Sequence, residues 1–358
     1  MTRHMFASGN TPIGFVNFFD YILPLENAEK RYFLKGSSGS GKSTFMKKIS
    51  AEFETAGFDL EHFHCSNDSN SLDGISVKTK RLCIIDGTSP HARDPEIPAG
   101  IDKMIDFSEF IDEQQVARYT DEIKTLLCSK KLLIEKYRGY FSAAGNVYTA
   151  ERTACEAALN RQSLKALTWE WMKKLVKLGT PNRKGVDRRL FLSAVTPDGV
   201  ISYADDMAFN GYTVYGLIAD AGIGTDIFLA ELRDTANMNG INTESFYCPF
   251  EPSKLEYLAL PEDGTAFATA GSRYGYTGHI DEKINFNCCF NKDKLDDVKY
   301  GIDRGDELFN RLLENIIDLM RASRQIHNRI ENIYISAMDF RKVEQMTERI
   351  VRELLPKN

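Results

Sequence analysis

A chain that repeats itself at long period must fold as two similar units, and this one repeats. Arg3-His4-Met5-Phe6-Ala7-Ser8, followed by Thr11-Pro12-Ile13-Gly14, returns 185 positions later as Arg188-Arg189-Leu190-Phe191-Leu192-Ser193, followed by Thr196-Pro197-Asp198-Gly199. After a two-residue deletion the register continues at 183, where Gly39, Gly41, Gly57, Cys65 and Leu72 meet Gly222, Gly224, Gly240, Cys248 and Leu255. Independent amphipathic patterning does not reproduce Thr-Pro-x-Gly and paired glycines in the same order, so duplication is the better explanation. The period is too long for a solenoid. Each half is therefore a domain, and 358 residues suffice for two cores.

Both halves end in long polar-apolar stretches with few breakers, over residues 112–140 and 147–178 and again over 292–325 and 327–355. Leu308, Leu312, Ile316 and Met320 fall on one helix face, as core or arm-to-arm packing requires. Thr180-Pro181-Asn182-Arg183-Lys184-Gly185 reads as a linker. The expected organisation is a domain over 1–111, a helical arm over 112–180, a linker over 181–187, a second domain over 188–291 and a C-terminal arm over 292–358.

Residues 36–43 read Gly-Ser-Ser-Gly-Ser-Gly-Lys-Ser, a full match to the phosphate-loop pattern G-x-x-x-x-G-K-S/T, extended by Thr44. The glycines let successive backbone N–H groups of Gly36, Ser37, Ser38, Gly39, Ser40 and Gly41 curl around phosphate oxygens. Lys42 supplies a charge at the β/γ end, and the Ser43 hydroxyl suits Mg2+. Arg31 to Lys35 reads as the strand leading in. Phe45, Met46, Ile49 and Phe53 have helical spacing leading out, so a helix N-terminus faces the anion. The expected fold class is thus α/β: two tandem phosphate-loop (P-loop) NTPase-like domains with parallel sheets, each followed by a helical hairpin or arm.

A second acidic element is needed for Mg2+. Leu82-Cys83-Ile84-Ile85 followed by Asp86 has the pattern of a buried parallel strand ending in a metal-holding carboxylate. Asp68, which follows the strand Leu60–Cys65 and has Glu251 as its counterpart, either orients an attacking water or is a solvated loop aspartate. Residues 87–100 form a long, proline-stiffened polar loop, in which Thr88, His91 and Arg93 are candidates to sense the γ-phosphate or a second substrate. His62 and His64 alternate onto one strand face beside Cys65, but no fourth zinc ligand is evident, and Cys65 reads as a packed strand residue.

The second copy departs from the first where the chemistry lies. Gly222-Ile223-Gly224-Thr225-Asp226-Ile227 replaces Lys42 by Thr225 and Ser43 by Asp226, and the stretch Thr265–Gly271 ends without a carboxylate. Two like charges ~4 Å apart repel by about 4 kcal/mol at an effective dielectric near 20, so Asp226 without a lysine is expected to exclude a triphosphate. One half binds nucleotide in this reading, and the other is a degenerate copy. Arg273 of that copy is a candidate arginine finger for the first site.

The net charge of −6 advertises no nucleic-acid partner. No apolar run approaches membrane-spanning length, and Met1-Thr2-Arg3-His4 opens no signal peptide. Seven cysteines without a Cys-x-x-Cys pair suit reduced thiols, so a cytoplasmic protein is expected.

The phosphate loop continuing into Phe45-Met46-Lys47-Lys48-Ile49, the His64-Cys65 strand end, Asp86-Gly87-Thr88-Ser89-Pro90-His91 and the Arg-x-x-Phe-x-Ser…Thr-Pro-x-Gly opening of both halves resemble a poorly characterised family of duplicated bacterial P-loop ATPases. The resemblance runs over essentially the whole chain and implies ATP binding. The expected activity is Mg2+-dependent ATP binding and hydrolysis at the first half, with ATP favoured over GTP because no Asn-Lys-x-Asp motif is present. The alternatives are a small-molecule or nucleoside kinase, and an ATP-dependent conformational switch that reaches an unknown protein partner through its arms.

Overall fold

The computed structural model describes residues 2–90, 92–179, 183–205, 208–219, 223–271 and 273–355. His91, Gly222 and the Thr180-Pro181-Asn182 part of the linker lie outside the described residues.

The first half runs β1 (Thr2–Met5), β2 (Ser8–Thr11), β3 (Gly14–Asn17), β4 (Lys30–Lys35), α1 (Lys42–Thr55), β5 (Leu60–Cys65), β6 (Asp68–Val77), β7 (Leu82–Asp86) and β8 (Asp102–Asp106). The arm follows as α2 (Glu113–Ala117), α3 (Thr120–Glu156) and α4 (Arg161–Leu178). The second half repeats this order with β9 (Asp187–Leu190), β10 (Ser193–Thr196), β11 (Gly199–Ser202), β12 (Thr213–Ile218), α5 (Thr225–Met238), β13 (Thr243–Tyr247), β14 (Leu255–Leu260), β15 (Thr265–Ala270) and β16 (Glu282–Asn285). Its arm is α6 (Lys292–Ala337) and α7 (Phe340–Leu354).

The sheets have orders β1-β5-β6-β7-β4-β8 and β9-β13-β14-β15-β12-β16, one topology twice, as duplication predicts. They are not the parallel sheets expected from the sequence. β6 runs antiparallel to β5 and β7, and β14 antiparallel to β13 and β15, so both sheets are mixed. The cause is local: only Ser66 and Asn67 separate β5 from β6, and so short a connection can join only antiparallel neighbours. β5 consequently lies three strands from β4, which pairs instead with β7 and β8. The strand that Asp68 follows is therefore not a neighbour of the phosphate-loop strand, as the catalytic reading of Asp68 required.

The helices also run further than expected. α3 runs unbroken through 141–146, where Gly145 lets it pack closely on Pro12; a Cβ there would stand 2.3 Å from the Pro12 Cβ. The chain breaks instead at Asn160 and Asp339, whose side chains accept the first N–H groups of α4 and α7. On α6 the buried stripe is Phe309, Leu313, Ile316 and Met320, while Leu308 is exposed.

Apolar residues from the inner strands of both sheets, with the segments after each hairpin, share one core that includes Phe33, Phe63 and Ile85 from one half and Phe209, Phe246 and Tyr257 from the other. The outer faces exchange partners. Val343, Met346 and Ile350 of α7 pack with α1 of the first half, and Leu164 and Leu175 of α4 pack with α5 of the second. Each sheet is thus closed by a helix from the opposite half. Paired backbone hydrogen bonds mark the pseudo-twofold: Phe6 with Phe191, Asp112 and Asp339 with Ala337 and Phe110, Asn160 and Asn291 with Cys289 and Ala158. Ile111 pairs with Met338 and Leu159 with Phe290, so the arms correspond at an offset of 179.

Near this axis Arg3, Arg188 and Lys78 meet the buried carboxylates of Glu61 and Glu244 at 2.7–3.3 Å. Burial works against the charge on Glu61, but Arg188, Lys78 and Arg3 outweigh it and hold the carboxyl down at about 2.

Candidate functional site

β4 delivers the chain to residues 36–41, and α1 begins at Lys42. Two glycines are obligatory here. Gly36 has φ +135°, with Phe107 Cβ 2.9 Å from where its own Cβ would be. Gly39 has φ +76°, with the backbone oxygen of Glu331 at 2.8 Å from that point. The Lys42 ammonium is folded back on its own loop, donating to the carbonyls of Gly36 and Ser37, each at 2.8 Å, and standing 3.7 Å from Asp86 Oδ2. Burial lowers its pKa despite Asp86. Ser43 Oγ accepts the N–H of Leu72 at 3.0 Å. Asp86 Oδ1 accepts from the backbone and hydroxyl of Thr88 at 2.9 and 2.6 Å.

The loop opens into a cavity of about 710 Å3 whose walls come from residues 38–44 with Asp86 and Thr88, from Asp68 and Asp73 of β6, from side chains of both arms, and from Asn10, Phe15 and Pro197 of the two hairpins. Asp68 therefore does reach the site, although from β6. It accepts from Ser71 Oγ at 2.7 Å and is ion-paired with Arg324 of α6. Of the 87–100 loop, Thr88, Ser89 and Pro90 line the cavity, whereas Arg93 pairs with Asp20 at 3.0 Å and is not among the lining residues.

The arms bring residues that reading the phosphate loop alone did not find: Lys130 and Arg138 from α3, and Arg324, His327 and Glu331 from α6. Lys130 Nζ donates to His327 Nδ1 at 2.8 Å. Burial, then Lys130, pushes His327 down to about 4. Glu331 packs against Gly39 of the phosphate loop, its Cγ 2.9 Å from where a Gly39 Cβ would stand; burial, then Asp68, raises its pKa. Arg273, the expected finger, is held elsewhere by Asp306 and Asn310 and stacks on Phe309 at 4.3 Å.

The second loop keeps the form and loses the charges. Gly224, at φ +80°, caps α5 as Gly41 caps α1. Where Lys42 meets Asp86, Thr225 accepts a hydrogen bond from Thr269 at 3.1 Å. At the arm position matching Glu331 stands Arg152, bound bidentately to Glu251 at 2.8 and 2.9 Å and 3.9 Å from Asp226. The positions of Lys130 and His327 are taken by Phe309 and Tyr148, rings 6.0 Å apart within an apolar cluster. The second site is thus filled by the same arms that line the first.

Whether the first site suits a nucleotide with its metal is tested by its own polar atoms. Ser37 Oγ and Ser40 Oγ are buried without a hydrogen-bond partner among the described residues, and Lys42 donates to two carbonyls of its own loop with Asp86 at 3.7 Å. Unpartnered hydroxyls in a loop that leads into a lysine at a helix N-terminus fit an anion. No helix among the described residues is long and apolar enough to cross a membrane. Comparisons with protein-family models, with curated proteins and with solved structures return no match.

Proposed function

We propose that the first half binds a nucleoside triphosphate with Mg2+, ATP in preference to GTP, and hydrolyses it slowly as a P-loop NTPase. The observation that carries this reading is the loop of residues 36–41 opening α1, with Lys42 folded against it beside Asp86. The backbone N–H groups of residues 37–42 would receive the phosphates, Lys42 the β/γ end, and Ser43 with Asp86 the metal. Mg2+ supplies charge neutralisation at the phosphates when bound. Asp68 is the acid suited to orient water, and Arg324 is the arm cation suited to oppose charge growing at the γ-phosphate. Seven free thiols suit a reducing compartment such as the cytosol.

A second reading, a nucleotide-driven switch with negligible turnover, is favoured by Glu331 packing against Gly39 of the loop, where a phosphate would compete with it. Both readings share one test: binding and turnover of ATP and GTP with Mg2+ for wild type beside Lys42→Ala. Loss of binding by more than about 10-fold, roughly 1.4 kcal/mol, is expected in the variant. Equal behaviour of the two proteins would overturn the nucleotide assignment, and tight binding without turnover in wild type would select the switch.

A further inference from the structure

We infer that His4, His62 and His64 form a binding site for a divalent transition-metal ion, with zinc the best match, separate from the phosphate loop. The sheet builds the cluster. β1 pairs parallel with β5 in a register that sets His4 opposite His62, and strand alternation turns His64 to the same face. One ring nitrogen from each residue lies within 4.8 Å of the other two. That spread is within small side-chain rotations of the separations set by metal–nitrogen bonds of about 2.0–2.1 Å.

The proton positions favour a ligand set. The Ser69 carbonyl, 3.1 Å from His64 Nδ1, can only accept, so His64 carries its proton there and leaves Nε2 a lone pair. This is the outer hydrogen bond that fixes metal-binding imidazoles. Nε2 faces His4 Nδ1 at 2.9 Å, an N–H donor without metal. Moving the His4 proton to its other nitrogen turns both lone pairs toward one point. Tyr203 lies 5.5 and 4.7 Å from the His4 and His64 rings and backs the cluster.

Access and charge agree. A second cavity of about 370 Å3 opens onto His62 and His64 and is bordered by Ser50 and Glu54, leaving room for water or a substrate oxygen as a fourth ligand. Glu54 offsets the ion's charge, while Lys47 opposes it. The fold itself does not demand imidazoles here. The matching positions in the second sheet are Arg189, Ser245 and Tyr247, and the strands pair in the same way. Three neutral nitrogen donors with an open position select zinc, cobalt, nickel or copper over Mg2+ or Ca2+.

The test uses the full-length protein and two probes, Zn2+ and Co2+. One Zn2+ per chain is expected, perturbing the imidazole NMR signals of His4, His62 and His64 but not those of His279 or His327. Co2+ should give a tetrahedral or five-coordinate visible spectrum without a thiolate charge-transfer band. His62→Ala and His64→Ala should each weaken Zn2+ binding at least about 100-fold, beyond the 10–100-fold that outer-shell changes cost. Cys128→Ser, Cys288→Ser and Lys42→Ala should bind as wild type, so the result does not depend on the nucleotide reading. Unmoved histidine signals in wild type, a thiolate-bound Co2+ spectrum, or undiminished affinity in His4→Ala/His64→Ala would each overturn the assignment.

Discussion

Glu331 is a charged arm residue that packs on the phosphate loop, beside Ile335, and its carboxylate lies near Lys42, where negative charge would arrive. At about 4 Å and an effective dielectric near 20 such a repulsion is worth up to about 4 kcal/mol. Solvent, and the raised pKa of Glu331, reduce it. Glu331→Gln keeps the shape and removes the charge, so ATP affinity at fixed Mg2+ should rise by about 10-fold in a calorimetric titration. Unchanged or weaker affinity would remove Glu331 as a competitor. The loop itself, Lys42, Ser43 and Asp86 were legible because a local pattern encodes them. Glu331, Arg324 and Lys130 were not, because nothing local to residues 36–43 points to helices about 90 and 290 positions away. A signal existed in the arm register: position 331 matches Arg152, an acid beside the first loop against a base beside the second.

At the level of elements, the two sheets are joined by Arg3, Arg188 and Lys78 on Glu61 and Glu244. Removing one partner from such a buried set strands the opposite charge, at a cost of about 3–5 kcal/mol. Arg188→Leu should therefore lower the urea midpoint by a corresponding amount, whereas Arg183→Leu on the surface should not. The sign with pH follows from Glu61, held at about 2 in the fold against an ordinary 4.5. A depressed carboxyl contributes fully above its unfolded pKa, so this stability is present above about pH 4.5 and is lost as pH falls towards 2. Denaturation midpoints measured between pH 6 and 3 should drop in wild type and drop less in Glu61→Gln. The strands holding these groups were readable as apolar runs, but the direction of β6 and β14 was not read. Strand direction is encoded in the connection length instead: Ser66 and Asn67 are too few for any parallel link.

At the scale of the molecule, the exchange of α4 and α7 makes each half incomplete alone. Fragment 1–179 lacks the helix that covers α1, and fragment 183–358 lacks the one that covers α5. Neither should unfold cooperatively by itself, while the two produced together should co-purify as a pair. A monomeric 1–179 fragment with a sharp thermal transition would contradict the crossed packing. Duplication was visible in the sequence; the crossing was not, since period and offset say nothing about which copy of a helix lies over which sheet. The crossing has a further effect. Two separate half-length polypeptides would find each other by mass action, and identical ones would pair as readily as different ones. A covalent tether instead holds the unlike halves at an effective concentration of about a millimolar. Dilution cannot part them, and within the chain no half can choose a twin, so the two copies are free to diverge while each still serves the other as scaffold.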